Sequence, residues 1–321
     1  MLTNIKHNDR FRNHKFIYWQ LINSTLSVII CICINFSAKA VPLYPYQDNN
    51  NSAYEYSKYH PSSDQLLTSI QAKAYIIFDQ TLDKILAFRN KDLVLPIASL
   101  TKLMTAIVVL DSKENLNKKI KITRDDYDNI RHSKSHVEKN TIMTKKTALM
   151  LSLMASDNRT AHALARSSKI GYKKFITAMN QKSLSLGLSK THYKDPAGSQ
   201  TYNVSTAEEL VRIVKEAERY GMIRSLSTTP GAKIPIRNHS HFFANTNYLV
   251  KTHTWPFFIS KTGFINESGK CLAFSSLVKG HHVTFIILGS PSTYSRVHDA
   301  QKAHKWAEDN IQLYSYGTSD K

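Results

Sequence analysis

The sequence predicts an α+β fold, in which helices pack on an antiparallel five-stranded sheet and a helical subdomain lies between its strands. Three observations support this prediction. Two strand-like segments open the folded part of the chain, a block of apolar-spaced helices follows, and three further strand-like segments and a long helix close it. We therefore expect the first and last segments to share one sheet.

The opening segments cover residues 72–78 and 84–88, which are joined by a short polar turn. Pro96 ends the extended structure. Residues 99–111 carry apolar side chains at helical spacing, and they predict a buried helix. A short strand is expected at residues 119–123.

The middle and the end of the chain give the remaining elements. Apolar spacing predicts helices at residues 144–168, with an interruption near Ser156, at 171–187 and at 205–219. Apolar runs bounded by turn residues predict strands at 257–260, 271–278 and 282–288. A long helix at 293–312 completes the fold.

The first 40 residues have the order of a secretory signal peptide. Residues 6–15 are basic, an apolar stretch at 21–36 follows, and Ala38-Lys39-Ala40 is a small-x-small cleavage pattern. The apolar stretch is short for a membrane span, and a retained anchor is the alternative. We therefore expect an exported, periplasmic protein with no integral membrane span after cleavage and no nucleic-acid partner.

The rest of the chain divides into three predicted parts. Residues 41–69 are rich in Tyr, Asn and Ser without an apolar period, and they predict a flexible linker. Residues 70–315 contain no Pro/Gly-rich break and predict one compact domain, and 316–321 form a tail. The net charge is +19, but the basic residues are scattered, which favours a solvated basic surface over a dedicated binding patch.

Of the three cysteines, Cys31 and Cys33 lie in the predicted signal peptide. Cys271 then remains alone, so no intrachain disulfide is expected. It lies in an apolar strand-like run, and we expect a buried structural thiol rather than a nucleophile.

Three short motifs that can carry nucleophilic chemistry occur in order. They are Ser99-Leu100-Thr101-Lys102, Ser156-Asp157-Asn158 and Lys261-Thr262-Gly263. Each is a weak signal alone, because Ser276-Leu277-Val278-Lys279 also matches the first pattern within a strand-like segment. The order of the three motifs, with the first at the start of an apolar helix, makes the combination specific.

Ser99 is the candidate nucleophile. A serine hydroxyl attacks well only when a base takes its proton. Lys102 lies three residues later, on the same face of a helix, and it can act as a base where burial and a nearby cation disfavour its charged form. Lys261 is the candidate cation, and a helix start offers backbone N–H groups to a developing oxyanion.

The other two motifs supply groups for substrate binding and proton transfer. Lys261 and Thr262, on an edge strand, can hold a substrate carboxylate by charge and hydrogen bond. Gly263 leaves room for the backbone of a bound peptide. Asn158 can bond to a substrate amide and to the candidate base, and Ser156 can relay a proton to the leaving amine.

Structural roles are the alternative for each residue taken singly. Ser99 could cap a core helix, and Lys102 could extend its ammonium group to the surface. Ser156 and Asn158 could form a turn that joins two helices. These roles do not explain why the three motifs occur together.

The residues around these motifs resemble the low-molecular-mass penicillin-binding serine DD-peptidases, and especially their D-alanyl-D-alanine endopeptidase branch. The resemblance rests on residues 92–106, 154–159, 203–207 and 260–264, and it covers roughly residues 70–312. It implies the penicillin-binding protein and β-lactamase-like transpeptidase fold, with the compact domain as the serine DD-peptidase catalytic domain.

The resemblance also implies an acyl-enzyme mechanism without a metal or organic cofactor. Ser99 would attack the carbonyl of a D-alanine in a peptidoglycan muropeptide, and water would later release the acyl group. The backbone N–H groups of Ser99 and Phe264 would form the oxyanion hole. Penicillins and other β-lactams are implied as covalent inhibitors, and cell-wall remodelling as the process.

Two departures from the family pattern are informative. Carboxypeptidases of this kind often carry a further C-terminal β-rich domain, whereas 58 residues follow Gly263 here. This favours the endopeptidase, and D-alanyl-D-alanine carboxypeptidase is the alternative. Asn140 stands where these enzymes commonly have a glycine, which leaves the conformation of that turn open.

Three other classes of protein fit less well. A class A β-lactamase needs a glutamate with a nearby asparagine, and the four glutamates between Asn158 and Lys261 lack one and resemble a solvated helix face. They are Glu208, Glu209, Glu216 and Glu218. A non-catalytic wall-binding protein would not need all three motifs. A metal hydrolase is disfavoured because His239-Ser240-His241 and His281-His282 lack metal-ligand spacing, and we expect surface or turn histidines.

Overall fold

The computed structural model describes residues 61–127, 135–237 and 239–315. The predicted signal peptide, linker residues 41–60 and the predicted tail lie outside the described residues. Within these described ranges, no helix combines the length and the apolar character that crossing a bilayer requires.

The described residues contain strands before, between and after most of the helices. They are β1 (Ala74–Asp79), β2 (Lys84–Arg89), β3 (Leu95–Pro96), β4 (Lys119–Lys121), β5 (Ile142–Thr144), β6 (Val204–Ser205), β7 (Gly231–Ile236), β8 (His239–Ala244), β9 (Phe257–Ile265), β10 (Gly269–Val278) and β11 (His281–Ser290). A five-stranded antiparallel sheet has the order β2-β1-β11-β10-β9. The first and last segments therefore share one sheet, which confirms the predicted α+β class.

The helices cover both faces of this sheet. They are α1 (Pro61–Thr68), α2 (Thr101–Asp111), α3 (Lys145–Met154), α4 (Asn158–Arg166), α5 (Gly171–Ser185), α6 (Ala207–Glu218), α7 (Gly221–Ser227), α8 (Tyr248–Lys251) and α9 (Thr293–Ser315). Helix α9 packs on one face and α6 on the other. Helix α2 is buried from Thr101 to Val109, which confirms the predicted buried helix. It begins two residues later than predicted, because Ser99 lies in a preceding 3-10 turn.

Side chains of the central strands alternate between two cores, one on each face of the sheet. On β1, Ala74 and Ile76 join the core on the side of α2 and α6, whereas Tyr75 and Ile77 join the core beneath α9. Both faces are covered, so these strands are apolar almost throughout. This is why continuous apolar runs marked them in the sequence.

Helix α1 occupies residues that we expected to belong to the linker. Its Leu66 and Leu67 pack against the core beneath α9. Arg89 donates hydrogen bonds to the carbonyl oxygens of Leu67 at 3.2 Å and Ile70 at 2.7 Å. The segment has no apolar period of its own, so its helical order depends on these tertiary contacts.

The structure places Cys271, which we predicted to be a buried structural thiol, and Asn140, whose turn conformation the sequence left open. Cys271 lies on β10 and is fully buried, and this burial raises the pKa of its thiol, which confirms the expected structural role. Asn140 has a φ of 69°, a left-handed conformation that asparagine tolerates better than most residues other than glycine. The turn therefore forms with asparagine at the position where the resembling enzymes commonly have a glycine.

Candidate active site

The first motif forms a tight turn before helix α2. Ser99 lies in the 3-10 turn Ala98–Leu100, and Ala98 has a φ of 47°, a left-handed conformation that costs about 1–3 kcal/mol outside glycine. The buried side chains of Ile97 and Leu100 hold the turn on either side. Neither the turn nor α2 has a side-chain cap. The alternative role of Ser99 as a helix cap is therefore wrong.

Lys102 is buried, and its ammonium nitrogen reaches three oxygen atoms. Lys102 Nζ lies 2.8 Å from Ser99 Oγ, 2.7 Å from Asn158 Oδ1 and 2.7 Å from the carbonyl oxygen of Ala197. The alternative in which Lys102 extends to the surface is wrong, because its exposure is 0%. A neutral lysine at this distance from a serine hydroxyl can accept its proton.

The second motif is the joint between α3 and α4. Ser156 has a φ of 58°, and Asp157 caps α4 by accepting a hydrogen bond from Thr160 N at 2.9 Å. Asn158 is the first residue of α4, and its side chain reaches Lys102. The motif does form a helix-joining turn, as the structural alternative held. The same turn also presents two of its side chains to the lysines of the other motifs.

Lys261 is the second buried lysine of the site. It lies on β9, and its Nζ atom donates to Ser156 Oγ at 2.8 Å and to the carbonyl oxygen of Thr262 at 2.9 Å. Burial lowers its pKa well below the ordinary value, and the positive charges of Lys102 and Arg296 lower it further. Lys261, whose pKa is lowered, is therefore hydrogen-bonded to Ser156, the predicted proton relay.

Gly263 allows β9 to contact the turn that carries Ser99. A Cβ atom on Gly263 would lie 2.9 Å from the carbonyl oxygen of Ile97 and 3.4 Å from Ala98 Cβ. We expected this glycine to leave room for a bound peptide, but the protein's own backbone occupies that space. The N–H groups of Ser99 and Phe264 are the predicted oxyanion hole. Ser99 directly follows Ala98 on one side of this contact, and Phe264 directly follows Gly263 on the other.

The loop between α5 and β6 supports Lys102, although the sequence analysis did not single it out. Asp195 Oδ1 accepts hydrogen bonds from Ala197 N at 2.7 Å and Gly198 N at 2.6 Å, and the Ala197 carbonyl contacts Lys102. Gly198 has a φ of 75°, and a Cβ atom there would lie 1.9 Å from the Ala98 carbonyl oxygen. The turn residues Asp, Pro and Gly are the signal that could have marked this loop.

Thr246, between β8 and α8, is a second residue that the sequence analysis missed. Its Oγ1 atom lies 2.6 Å from Thr262 Oγ1, and its backbone N–H donates to the Met154 carbonyl oxygen at 3.1 Å. No motif in the surrounding sequence marks this residue. Only the tertiary contact with the third motif reveals it.

The four glutamates between Asn158 and Lys261 lie on α6, and they do not form the solvated face that we expected. Glu209, Glu216 and Glu218 are buried, because α6 packs between the sheet and the other helices. Each carboxylate bonds to a partner outside the three motifs. The pairs are Glu208–Lys91, Glu209–Thr191, Glu216–Lys182 and Glu218–Gln80.

The two pairs of histidines have different settings. His239 and His241 lie on the hairpin strand β8, where His239 is exposed, as expected. His281 is not a simple surface histidine, because its Nδ1 atom lies 2.7 Å from Oδ2 of the buried Asp79. In the part of the chain that the structure describes, no group of three or more His, Cys, Asp or Glu side chains could hold a metal ion.

Comparison with known proteins agrees with this geometry. The family model described as D-alanyl-D-alanine carboxypeptidase, peptidase S11, matches residues 59–292. The chain is 38% identical to the D-alanyl-D-alanine endopeptidase of Pseudomonas aeruginosa, over 73% of this chain and 76% of the relative. It is 36% identical to the D-alanyl-D-alanine endopeptidase of Escherichia coli, over 74% and 78%.

A solved structure shares the fold. The crystal structure of the Streptomyces K15 DD-transpeptidase aligns with a TM-score of 0.68 at 27% identity, over 74% of this chain and 97% of that chain. The predicted transpeptidase-like fold and the family resemblance are both confirmed. The chain belongs to peptidase family S11, the D-alanyl-D-alanine carboxypeptidase family.

Proposed function

We propose that the chain is a serine D-alanyl-D-alanine endopeptidase that cleaves peptide cross-links in peptidoglycan during cell-wall remodelling. The observation that carries the proposal is the position of Lys102 Nζ, within hydrogen-bond distance of both Ser99 Oγ and Asn158 Oδ1. Membership of the S11 family supports hydrolysis of a D-alanyl bond. The two endopeptidases at 36% and 38% identity support the cross-link as the substrate.

Acylation begins when neutral Lys102 takes the proton of Ser99 and Oγ attacks the D-alanyl carbonyl carbon. As the new C–O bond forms, the carbonyl electrons move to the oxygen, and the backbone N–H groups of Ser99 and Phe264 donate to that oxyanion. Collapse of the intermediate breaks the C–N bond. Ser156 gives a proton to the leaving amine. Lys261, whose Nζ atom lies 2.8 Å from Ser156 Oγ, can then give a proton to Ser156.

Deacylation reverses these roles with water as the nucleophile. Lys102 first releases to solvent the proton that it took from Ser99, and Lys261 regains one from solvent. Lys102 then takes a proton from the water, and the oxygen of the water attacks the ester carbonyl. The C–O bond to Ser99 breaks as Lys102 returns this proton to Ser99 Oγ. During the earlier acylation step, Asn158 holds the substrate amide, while Lys261 and Thr262 hold a substrate carboxylate by charge and hydrogen bond. No step requires a metal or organic cofactor.

The setting and the inhibitors of the enzyme follow from the same proposal. Cleavage of the N-terminal signal would release the enzyme into the periplasm, where its substrate is found. A β-lactam would acylate Ser99, because its strained amide can occupy the position of the D-alanyl bond. D-alanyl-D-alanine carboxypeptidase is the second candidate, which relatives at 25% and 28% identity with that name favour.

The test uses the chain from Val41 onward and its Ser99→Ala variant. Each is incubated with a cross-linked muropeptide dimer and with a pentapeptide monomer, and the products are identified by mass. The endopeptidase predicts that only the wild type splits the dimer. Loss of one D-alanine from the pentapeptide with the dimer intact would make the enzyme a carboxypeptidase. No change in either substrate would contradict both candidates and favour a wall-binding role.

A further inference from the structure

The segment between β8 and α8 holds one exposed hydroxyl beside the third motif. Asn245 and Asn247 are 3% and 1% exposed. Asn245 Nδ2 donates to two backbone carbonyls, both at 2.9 Å, and Asn247 Nδ2 donates to Ser260 Oγ at 3.0 Å. Thr246 lies between these two buried anchors and is itself exposed. Its backbone position is therefore fixed, while its side chain remains accessible to a ligand.

The hydroxyl groups of Thr246 and Thr262 form a direct hydrogen bond, with 2.6 Å between their Oγ1 atoms. Each hydroxyl has one proton, so the group that donates within the pair has no proton left for a third partner. Thr262 is 5% exposed and adjoins Lys261, whose charge would attract an anion. A carboxylate accepts hydrogen bonds and cannot donate them. Thr262 can bind a carboxylate only if Thr246 is the donor within the pair.

The side of the scissile bond on which this site lies follows from Lys261. Its Nζ atom is hydrogen-bonded to Ser156 Oγ, the group that gives a proton to the leaving amine in the proposed mechanism. Thr262 is the next residue on β9, and Lys261 Nζ also donates to its carbonyl oxygen at 2.9 Å, so the two residues are held together beside Ser156. A carboxylate bound there would belong to the amine half of the cross-link.

We propose that Thr246 is a positioning residue of the substrate-carboxylate site. Its hydroxyl donates to Thr262 Oγ1, so that the proton of Thr262 is directed at a carboxylate on the leaving-amine side of the scissile bond. The inference rests on the proposed function, and it specifies the substrate class as a cross-link whose amine half carries a free carboxylate next to the cleaved bond.

The experiment compares the wild type with two variants of similar size. Thr246→Val removes the hydroxyl and keeps the branched shape, whereas Thr246→Ser keeps the hydroxyl. Two synthetic cross-link mimics are used, one with a carboxylate on the amine half and one with a carboxamide in its place. The kcat and KM values of each pair are measured from product formation.

We expect Thr246→Val to lower kcat/KM for the carboxylate substrate about tenfold, mainly through KM, because Thr262 loses the partner that orients its hydrogen bond to the charged group. Thr246→Ser should remain within about twofold of the wild type. All three proteins should cleave the carboxamide substrate equally. Equal loss in both variants, equal loss on both substrates, or no loss in Thr246→Val would overturn the inference.

A binding measurement separates this inference from the proposed function. In the Ser99→Ala background, which cannot form the acyl-enzyme, calorimetry gives the Kd of each mimic with and without Thr246→Val. If Thr246→Val weakens binding of the carboxylate mimic alone about tenfold, the result supports the role of Thr246. This holds even if the wild type cleaves neither mimic, a result that would contradict the proposed endopeptidase activity. Cleavage by the wild type with equal Kd values in both backgrounds contradicts only the role of Thr246.

Discussion

Two buried lysines in different regions of the molecule, Lys145 and Lys261, have opposite surroundings. Lys145, at the start of α3, is 2% exposed, and its Nζ atom lies 2.6 Å from Glu114 Oε2. Lys261 is 1% exposed, but it has no ion pair with a carboxylate in the described part of the chain. Its hydrogen-bond partners are Ser156 Oγ and the Thr262 carbonyl.

The difference separates a lysine that is paired with a carboxylate from one that the proposed mechanism uses in proton transfer. Lys145 is paired with the Glu114 carboxylate, which also accepts a hydrogen bond from Lys169 N at 3.0 Å and so joins the loop after α2 to the segment that follows α4. The charge of Lys261 is buried without a carboxylate partner, which costs free energy and lowers its pKa. Function and stability therefore place different demands on the same residue type.

The largest effect should follow Lys261→Met. We expect kcat/KM on the cross-linked dimer to fall about 10³-fold, because the substrate and the proton relay both lose a cation. The melting temperature should stay the same or rise, because an unpaired buried charge has been removed. Activity assays and thermal unfolding check this. If the variant kept activity within tenfold of the wild type, or melted at a much lower temperature, the result would contradict the proposed difference between Lys261 and Lys145.

Lys145→Met should have the opposite consequence. It leaves the Glu114 carboxylate buried without its cation, so the free energy of unfolding should fall by about 3–5 kcal/mol. Activity at temperatures where the variant is folded should be unchanged. The matched control is the double variant Glu114→Gln/Lys145→Met, which should recover most of the loss in denaturant unfolding. A double variant as unstable as the single one would show that packing, rather than charge, is responsible.

Gly263→Ala tests the contact between β9 and the nucleophile turn. The added methyl group would meet the Ile97 carbonyl oxygen at 2.9 Å, so the turn must shift relative to the strand. We expect a loss of roughly 10- to 100-fold in the rate of penicillin acylation, since small displacements of reacting groups have effects of this size. Gly221→Ala is the control, because the nearest atom there is the flexible Arg224 side chain at 3.6 Å. Equal rates for the two variants would contradict a role for this contact.

The smallest effect is a difference in pH dependence. The pKa of Lys261 lies well below 10.5, its unfolded value. Between these two values the unfolded state holds a proton that the native state lacks, so stability rises with pH, by at most about 1.4 kcal/mol per pH unit. Lys261→Met should flatten the rise in melting temperature as the pH approaches 10.5.

The paired region should respond in acid instead. Burial opposes the shift, but Lys145 lowers the pKa of Glu114 below 4.5. Its stabilisation is therefore present above pH 4.5 and is lost as the pH falls through the lowered pKa. The Glu114→Gln/Lys145→Met variant should flatten this acid loss and leave the alkaline limb unchanged. The same alkaline slope in the wild type and in Lys261→Met would contradict the contrast between the two lysines.

The parts of the fold that the sequence predicted well are those with strong local signals. Apolar runs marked the five strands of the sheet, and the three motifs identified the residues that meet around Lys102 and Lys261. Hairpin β7–β8 was missed because Pro235 and alternating histidines interrupt its pattern. Its register with Ile234 opposite His241 is visible only in three dimensions.

The remaining errors concern distances between segments that are remote in sequence. Gly263 lacks a side chain because of Ile97, and Thr246 matters because of Thr262. The buried glutamates of α6 have charges that suggest solvent exposure, but their partners come from other elements. No local pattern records such contacts, because each depends on where the completed sheet places its neighbours.

The pairing of β1 with β11, in which Ile76 lies opposite Ile286, has a consequence for biosynthesis. The first strand of the sheet cannot find its central neighbour until the last strand has been made. The turn that carries Ser99 likewise cannot make its contact with β9 until Gly263 has been synthesised. A chain that grows from its N-terminus thus contains its serine long before the strand that completes the site. Such high contact order slows folding, and the geometry around Ser99 is incomplete until β9, β10 and β11 have been synthesised.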